Sequence, residues 1–155
     1  MTAIFSNRGL RALALPVATR EEAESQFVCK GMEETCVETD KEIAQLVNDL
    51  RRYFAGEPVK FAIELDLDGL TGWQKRVLMK AAEIPYGKVM TYGGLAVAVG
   101  SPGAGRAVGQ AMARNPVPIV VPCHRVVAAS GKLGGFSAGL DWKRKLLRLE
   151  GIEDY

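Results

Sequence analysis

A chain of 155 residues, 48% hydrophobic and 25% charged, has the composition of a soluble globular protein of one large domain or two small ones. No apolar run approaches the ~20 residues of a bilayer-spanning helix, and Met1–Leu10 lacks the basic-then-apolar order of a signal peptide, so a cytoplasmic protein with no membrane partner is expected. The formal net charge of +2 conceals an asymmetry: residues 1–69 hold 8 Lys/Arg against 13 Asp/Glu, and residues 70–155 hold 12 against 5, so only the second half is suited to a polyanion, although a solvated basic surface would read the same way.

In chain order, Ile4–Pro16 is apolar around an Asn7-Arg8-Gly9 turn signal, which predicts a β-hairpin. Residues 20–38 are acidic and show no period. Thr39 opens a helix, and Glu42 three residues on completes a capping box. Ile43, Leu46, Val47, Leu50, Tyr53 and Phe54 fall on one helical face, and Gly56 and Pro58 end it. Phe61, Ile63, Leu65 and Leu67 alternate with Ala62, Glu64 and Asp66, the pattern of a half-buried strand. Asp68-Gly69 then separates two domains. The expected fold class is α+β: a small α/β domain over 1–69, a sheet with a helix, and a mostly helical domain over 70–155.

In the second half, Thr71 caps a helix carrying Trp73, Val77, Leu78 and Ala81, which Ile84-Pro85-Tyr86-Gly87 breaks. Thr91 caps a short helix from Tyr92 to Val99. Ser101 is expected as the next N-cap, with Pro102 at the first helical position of a helix running to about Asn115. Two short helices around a tight turn fit a helix-turn-helix, although core packing accounts for the pattern as readily. The second of them is nearly bare, with Gly103, Ala104, Gly105, Ala107, Gly109, Ala111 and Ala113. Each helical Gly costs ~1 kcal/mol against Ala, so such a run implies close approach of another backbone or of DNA. Arg106 is the one long side chain in its first turns. Pro116, Pro118 and Pro122 forbid helix, and Ile119-Val120-Val121 is expected to extend toward Cys123. Ser130–Gly135 is a Gly-rich turn region, and Leu140–Leu149 is a basic amphipathic helix stopped by Gly151.

The chemistry concentrates in Pro122-Cys123-His124-Arg125. A thiol is a good nucleophile only as thiolate, and its free pKa is ~8.5. His124, the one histidine, and Arg125 supply a base and a positive charge that lower it. On an extended segment adjacent side chains face opposite ways, so His124 reaches Cys123 through a water. A third group should orient the imidazole, and the acids of this half are Glu83, Asp141, Glu150, Glu153 and Asp154. A small buried hydrophobe is the commoner fate of a lone cysteine. Zinc needs about four ligands, and Cys29 and Cys36 stand far from Cys123 in the sequence, so neither a metal nor a cofactor is expected. Three cysteines in an unsecreted chain also argue against a disulfide framework.

The run Asn115-Pro116-Val117-Pro118-Ile119-Val120-Val121-Pro122-Cys123-His124-Arg125-Val126-Val127 resembles the active-site signature of the O6-alkylguanine-DNA alkyltransferases, the methylated-DNA–protein-cysteine methyltransferases. The likeness extends to Tyr92-Gly93-Gly94-Leu95-Ala96, Arg106-Ala107-Val108-Gly109, Gly134-Gly135-Phe136-Ser137 and Leu149-Glu150-Gly151, and so covers most of residues 71–155. It implies a winged helix-turn-helix-like domain that repairs DNA by taking an alkyl group from O6-alkylguanine, with O4-alkylthymine as a second candidate lesion, onto its own cysteine in a single turnover. Cys123 matches the acceptor, His124 the base that works through water, Glu150 the carboxylate that orients it, and Asn115 the residue that holds the active-site turn. Tyr92 matches the residue that rotates the nucleotide out, and Arg106 the one that fills the vacated stack. Ala107 and Gly109 match a helix that enters the minor groove, and Arg125 is placed with these DNA-binding residues. Val126 and Ser137 match backbone groups that read the flipped base. Phe136 stands beside them where some members carry Tyr. The implied partner is double-stranded DNA, met by a monomer. The alternatives are a non-catalytic lesion-binding protein, whose members lack the acceptor cysteine, a helix-turn-helix regulator reading the major groove, and a cysteine hydrolase.

Overall fold

A two-residue turn at Asn7-Arg8 folds the N-terminal apolar run into the predicted hairpin. Strand β1 (Thr2–Ser6) pairs antiparallel with β2 (Gly9–Ala14), with a register shift between Ile4 and Phe5. This computed structural model describes residues 1–16 and 41–155. The acidic stretch, the Thr39 cap, Cys29 and Cys36 lie outside them. The chain divides into two compact units, Met1–Asp68 and Gly69–Tyr155.

In the first unit, α1 (Lys41–Phe54) buries Leu46, Leu50 and Tyr53 as expected. Val47 and Phe54 do not join them: they are 40% and 37% exposed. Asp49 takes a buried position instead, its carboxylate accepting from the Gln45 amide at 3.0 Å. The apolar stripe is therefore narrower than the residue types suggested.

The strand expected over Phe61–Leu67 is reduced to one parallel bridge, Leu10 to Leu65. Leu10 N donates to Glu64 O at 2.8 Å, and Asp66 N donates to Leu10 O at 3.0 Å. Gly9 permits this approach, because a Cβ there would lie 2.3 Å from the Glu64 carbonyl oxygen. The alternation fails at Asp66, which is buried rather than solvated. Its carboxylate accepts from the Ser6 hydroxyl at 2.7 Å, from Arg11 at 3.3 Å and from the Asp68 backbone N–H at 3.0 Å, with Arg8 alongside. Those donors sit on the hairpin and beyond it, where a strand pattern cannot register them.

The second unit begins with α2 (Gly72–Ala82). Thr71 and Gln74 form a reciprocal capping box there, satisfying two donors that the first turn leaves open. Val77, Leu78 and Ala81 are fully buried. The strand β3 (Met90–Thr91) pairs in parallel with β4 (Val126–Val127). Thr91 then caps α3 (Tyr92–Ala98) by accepting from Gly94 N at 2.9 Å.

The next helix starts later than expected. Ser101-Pro102-Gly103-Ala104 closes a turn, Ala104 N donating to Ser101 O at 3.1 Å, with Gly103 at φ +85°. Proline at the second position and a left-handed glycine at the third are the marks of a type II turn. Ser101 therefore opens a turn and caps no helix. Ala104 is the N-cap of α4 (Gly105–Ala113), with no side-chain bond. A Cβ at Gly105 would make an ordinary contact with the Gly93 backbone at 3.7 Å, and one at Gly109 with the Tyr92 ring at 3.9 Å, so packing within this unit does not require glycine at either position.

The last helix, α5 (Leu140–Leu149), buries Lys143, Leu146 and Leu147 and stops at Gly151, φ +78°. Two small sheets and five helices among the described residues make a mixed α+β fold. No helix among them is long and apolar enough to cross a membrane.

Asp66 gives this fold a testable acid sensitivity. The Ser6 hydroxyl, then the Asp68 N–H, hold its carboxyl below the ordinary 3.8 against the opposing effect of burial, helped by Arg8 and Arg11. A carboxyl lowered on folding contributes stability above its unfolded value, and that contribution is lost as pH falls through the folded value. Asp66→Asn should lower the urea midpoint at neutral pH, and the gap to the unsubstituted protein should close on acidification below about pH 4. A gap independent of pH would contradict this account.

Candidate active site

Cys123, His124 and Arg125 share one turn of 3-10 helix, so the expected extended run into the cysteine does not form. The chain upstream closes on itself. Val121 N donates to Val117 O at 2.9 Å, and Ile119 adopts φ +74°, a left-handed backbone that costs a β-branched residue about 1–3 kcal/mol. Asn115 holds this turn. Its Oδ1 accepts from Val117 N at 3.1 Å, and its Nδ2 donates to Val121 O at 2.8 Å and to Cys123 Sγ at 3.1 Å. One buried amide thus fixes both the strained turn and the sulfur.

Behind the thiol lies Glu150, the C-cap of α5. His124 Nε2 is 2.8 Å from Glu150 Oε1. Arg125 Nε donates to Oε2 at 2.9 Å and Nη2 to Oε1 at 3.0 Å. Gly87 N donates to Oε2 at 3.1 Å, and Arg125 Nη1 to Ile84 O at 2.6 Å. The Tyr86 ring centroid lies 5.9 Å from the guanidinium carbon, and its hydroxyl donates to Leu149 O at 2.8 Å. This corrects the expectation for Arg125: it is 6% exposed, and its donors are turned inward onto Glu150 and Ile84, away from any phosphate.

Burial pushes Glu150 up, but hydrogen bonds and charge from His124 and Arg125 outweigh it and hold the carboxyl at about 2. Burial pushes the His124 imidazole down from 6.5, against the pull of Glu150. It pushes the Cys123 thiol up, with the Asn115 bond and the Lys143 charge opposing. At neutral pH the resting set is a carboxylate, a neutral imidazole and a thiol. A carboxylate only accepts, so Nε2 carries the ring proton and Nδ1 is the basic nitrogen. The unit can therefore take a proton from a nearby thiol.

A second cluster forms around Lys143, which sequence reasoning missed. Its Nζ donates to Val126 O and Leu133 O, each at 2.6 Å, and to Gly135 O at 3.2 Å. It also lies 5.7 Å from the Tyr92 ring centroid. Burial lowers this ammonium to about 8, with Cys123 opposing. The signal was present: Lys143 falls in line with Leu146, Leu147 and Glu150 at helical spacing, on the apolar stripe of a basic helix. Tyr92 donates to Gly135 O at 3.1 Å, and burial, then Cys123, raise its hydroxyl. Val126 is buried, Phe136 half-buried and Ser137 exposed. Arg106 is exposed on α4 beside half-buried Ala107 and Gly109, and it contributes no bond to either cluster. Among the described residues no group of three His, Cys, Asp or Glu could hold a metal ion.

Comparison with known proteins bears on this arrangement. The family described as 6-O-methylguanine DNA methyltransferase, DNA binding domain, matches residues 72–152. A methylated-DNA–protein-cysteine methyltransferase of Mycobacterium leprae is 55% identical over 107 residues, 69% of this chain and 64% of its own length. The protein of that name from Mycolicibacterium paratuberculosis is 52% identical over 113 residues, 73% and 68%. The chain thus spans about two thirds of these relatives. A crystal structure of Mycobacterium tuberculosis OGT in complex with DNA superposes with TM-score 0.71 at 39% identity, covering 96% of this chain and 90% of that one.

The packing of Tyr92 can be isolated with two glycines. Gly131 and Gly134 have φ +74° and +69°, but a Cβ at Gly131 meets nothing within 4 Å, whereas one at Gly134 lies 2.6 Å from the Tyr92 ring. Gly131→Ala should cost about 1–2 kcal/mol for backbone alone. Gly134→Ala should cost about 1–3 kcal/mol more for the forced displacement. Equal urea midpoints for the two variants would refute the contact.

Proposed function

Because the chain belongs to the O6-methylguanine-DNA methyltransferase family, we propose that it repairs DNA by moving the alkyl group of O6-alkylguanine onto Cys123 Sγ, once per molecule and irreversibly. The observation that carries this reading is the buried thiol held by Asn115 beside a hydrogen-bonded His124–Glu150 pair. Sγ attacks the alkyl carbon as the carbon–O6 bond breaks. The thiol proton passes through water to His124 Nδ1, and guanine leaves with a proton in place of the alkyl group. Glu150 stabilises the imidazolium that forms between these transfers. The product thioether is neutral and has no proton to lose, so the sulfur is consumed.

Double-stranded DNA is the proposed partner, in line with the Mycobacterium tuberculosis protein crystallised in complex with DNA. The alkylated oxygen is unreachable within the duplex, so the nucleotide must be turned out at a cost of a few kcal/mol. Arg106, exposed at the start of α4, fills the vacated stack. The small surface at Ala107 and Gly109 admits α4 to the minor groove, with exposed cations meeting phosphates. Tyr92 turns the nucleotide out, and its hydroxyl, protonated and donating to Gly135 O at rest, turns to the lesion as the donor that Phe136 lacks. The backbone groups of Val126 and Ser137 read the base, the Val126 oxygen using the lone pair that Lys143 leaves. The protein acts as a monomer, and residues 1–69 serve as its structural domain. A non-catalytic lesion-binding role fits less well, since the acceptor thiol and its relay are present.

Peptide mass spectrometry after mixing with an O6-methylguanine duplex should show one methylene's mass gained on the Cys123 peptide, saturating at one per molecule. Cys123→Ala should retain lesion binding and gain nothing; a mass gain in that variant would move the acceptor elsewhere and overturn the assignment. Arg106→Ala should slow transfer from duplex DNA about tenfold to a hundredfold, each tenfold being 1.4 kcal/mol of the flipping cost, and leave single-stranded substrate nearly unaffected. Equal losses on both substrates would remove Arg106 from the stack.

A further inference from the structure

The third member of the His124–Glu150 unit has no part in the chemistry above. A buried carboxylate beside an imidazole draws a proton onto the ring, because an ion pair is cheaper there than a lone anion. An imidazolium has no lone pair and cannot accept the thiol proton. Something must therefore answer the Glu150 charge without protonating His124. The guanidinium of Arg125 does so with a planar fork that spans both carboxylate oxygens and reaches Ile84 O with its remaining arm. A lysine offers no such fork. The Ile84–Gly87 loop completes the clamp. Gly87 donates its N–H to the same carboxylate at 3.1 Å, and its φ of +70° with Glu150 O 3.2 Å from a Cβ there makes any side chain strained and tight.

We propose that Arg125 is a positioning residue that keeps His124 an uncharged base, by fixing and cancelling the Glu150 charge, with the Ile84–Gly87 loop as its anchor. This rests on the reading that His124 takes the proton of Cys123. The charged and titratable groups around the imidazole are Lys143 of α5 and Glu150 at its C-cap, with Cys123 and Arg125 from its own turn, and Tyr86 of the loop stands against Glu150 and Arg125. Of these Glu150 alone is an anion at rest. Arg125 and Lys143 both oppose protonation of the ring, and Arg125 is the one bonded to Glu150.

The chain contains one histidine, so its ring can be titrated by NMR with isotope-labelled histidine and no ambiguity. The measurement needs no DNA, so it stands apart from the success of the alkyl-transfer reading. In the unsubstituted protein the ring should titrate below the ordinary 6.5. Arg125→Met should move that titration up by about one pH unit or more. The same step made in a Glu150→Gln background should move it much less, because no carboxylate charge is left to cancel, and if Arg125→Met alone does not fold, Arg125→Lys, which keeps the charge but loses the fork, should still raise it by a smaller amount. No rise on loss of the fork, or an equal rise with and without the Glu150 carboxylate, overturns the proposal. With an O6-methylguanine duplex, the acid limb of the single-turnover rate should shift upward with the ring, and the rate should recover at higher pH. A loss uniform across pH would show a structural role only and count against it.

Discussion

Burying a carboxylate costs several kcal/mol unless charge and hydrogen bonds match it, and in the second unit Glu150 is matched by three donor residues from two other parts of the chain. His124 and Arg125 come from the 3-10 turn, Gly87 from the loop after α2, and the carboxylate itself from the end of α5. The turn that carries the thiol, the loop below it and the last helix are therefore pinned to one another through two oxygen atoms. Of these donors Arg125 alone brings a matching charge, so its loss would leave the Glu150 carboxylate buried with hydrogen bonds only. The same constraint fixes the direction of the chemistry, since Nε2 is committed to Glu150 and the basic nitrogen must be Nδ1.

The thiol is held by opposite physics. Its surroundings favour the uncharged form, while the Asn115 amide, the Lys143 ammonium and the backbone N–H groups of Cys123 and His124 lean toward thiolate. A thiol that ionised freely would be open to oxidation. One that rests protonated beside a neutral base becomes nucleophilic only when the proton moves. Asn115 couples this sulfur to the Ile119 turn, so the left-handed residue is kept in place by the contact that positions Sγ. Lys143, spread over three carbonyls, ties α5 to β4 and to the 133–135 segment beneath Tyr92.

Much of this was legible because it rests on residue type. Thr71 and Thr91 announced their helices, Gly151 its stop, and the Pro122–Arg125 run its chemistry. What was not legible depended on which of two compatible local geometries the rest of the fold selects. Pro122 permits an extended chain or a 3-10 turn, and the choice decides whether Arg125 meets solvent or Glu150. Ser-Pro serves equally as helix start or turn, and the left-handed Gly103 settled it for the turn. Asp66 read as the polar side of a strand because its donors, Ser6 and Arg11, lie 60 and 55 residues away. Gly87 gave no sign, since a backbone N–H has no side chain to mark it. Lys143 was readable from its place on the apolar stripe, but a lysine in a basic helix is expected to be solvated.

The charge asymmetry that first singled out residues 70–155 can now be divided by location. Two of its 12 cations, Arg125 and Lys143, and one of its 5 acids, Glu150, are buried. Outside the core 10 Lys/Arg face 4 Asp/Glu, so the surface loses a single unit of net charge to the interior and stays basic. The two groups of charge do different work. Those at the surface act at long range, are screened by salt and suit any polyanion. Those inside act over bonding distances, are screened by nothing and select one protonation state of one imidazole. Binding strength should therefore respond to salt while the protonation of the relay does not. That separation lets a basic surface be rebuilt without disturbing the thiol it serves.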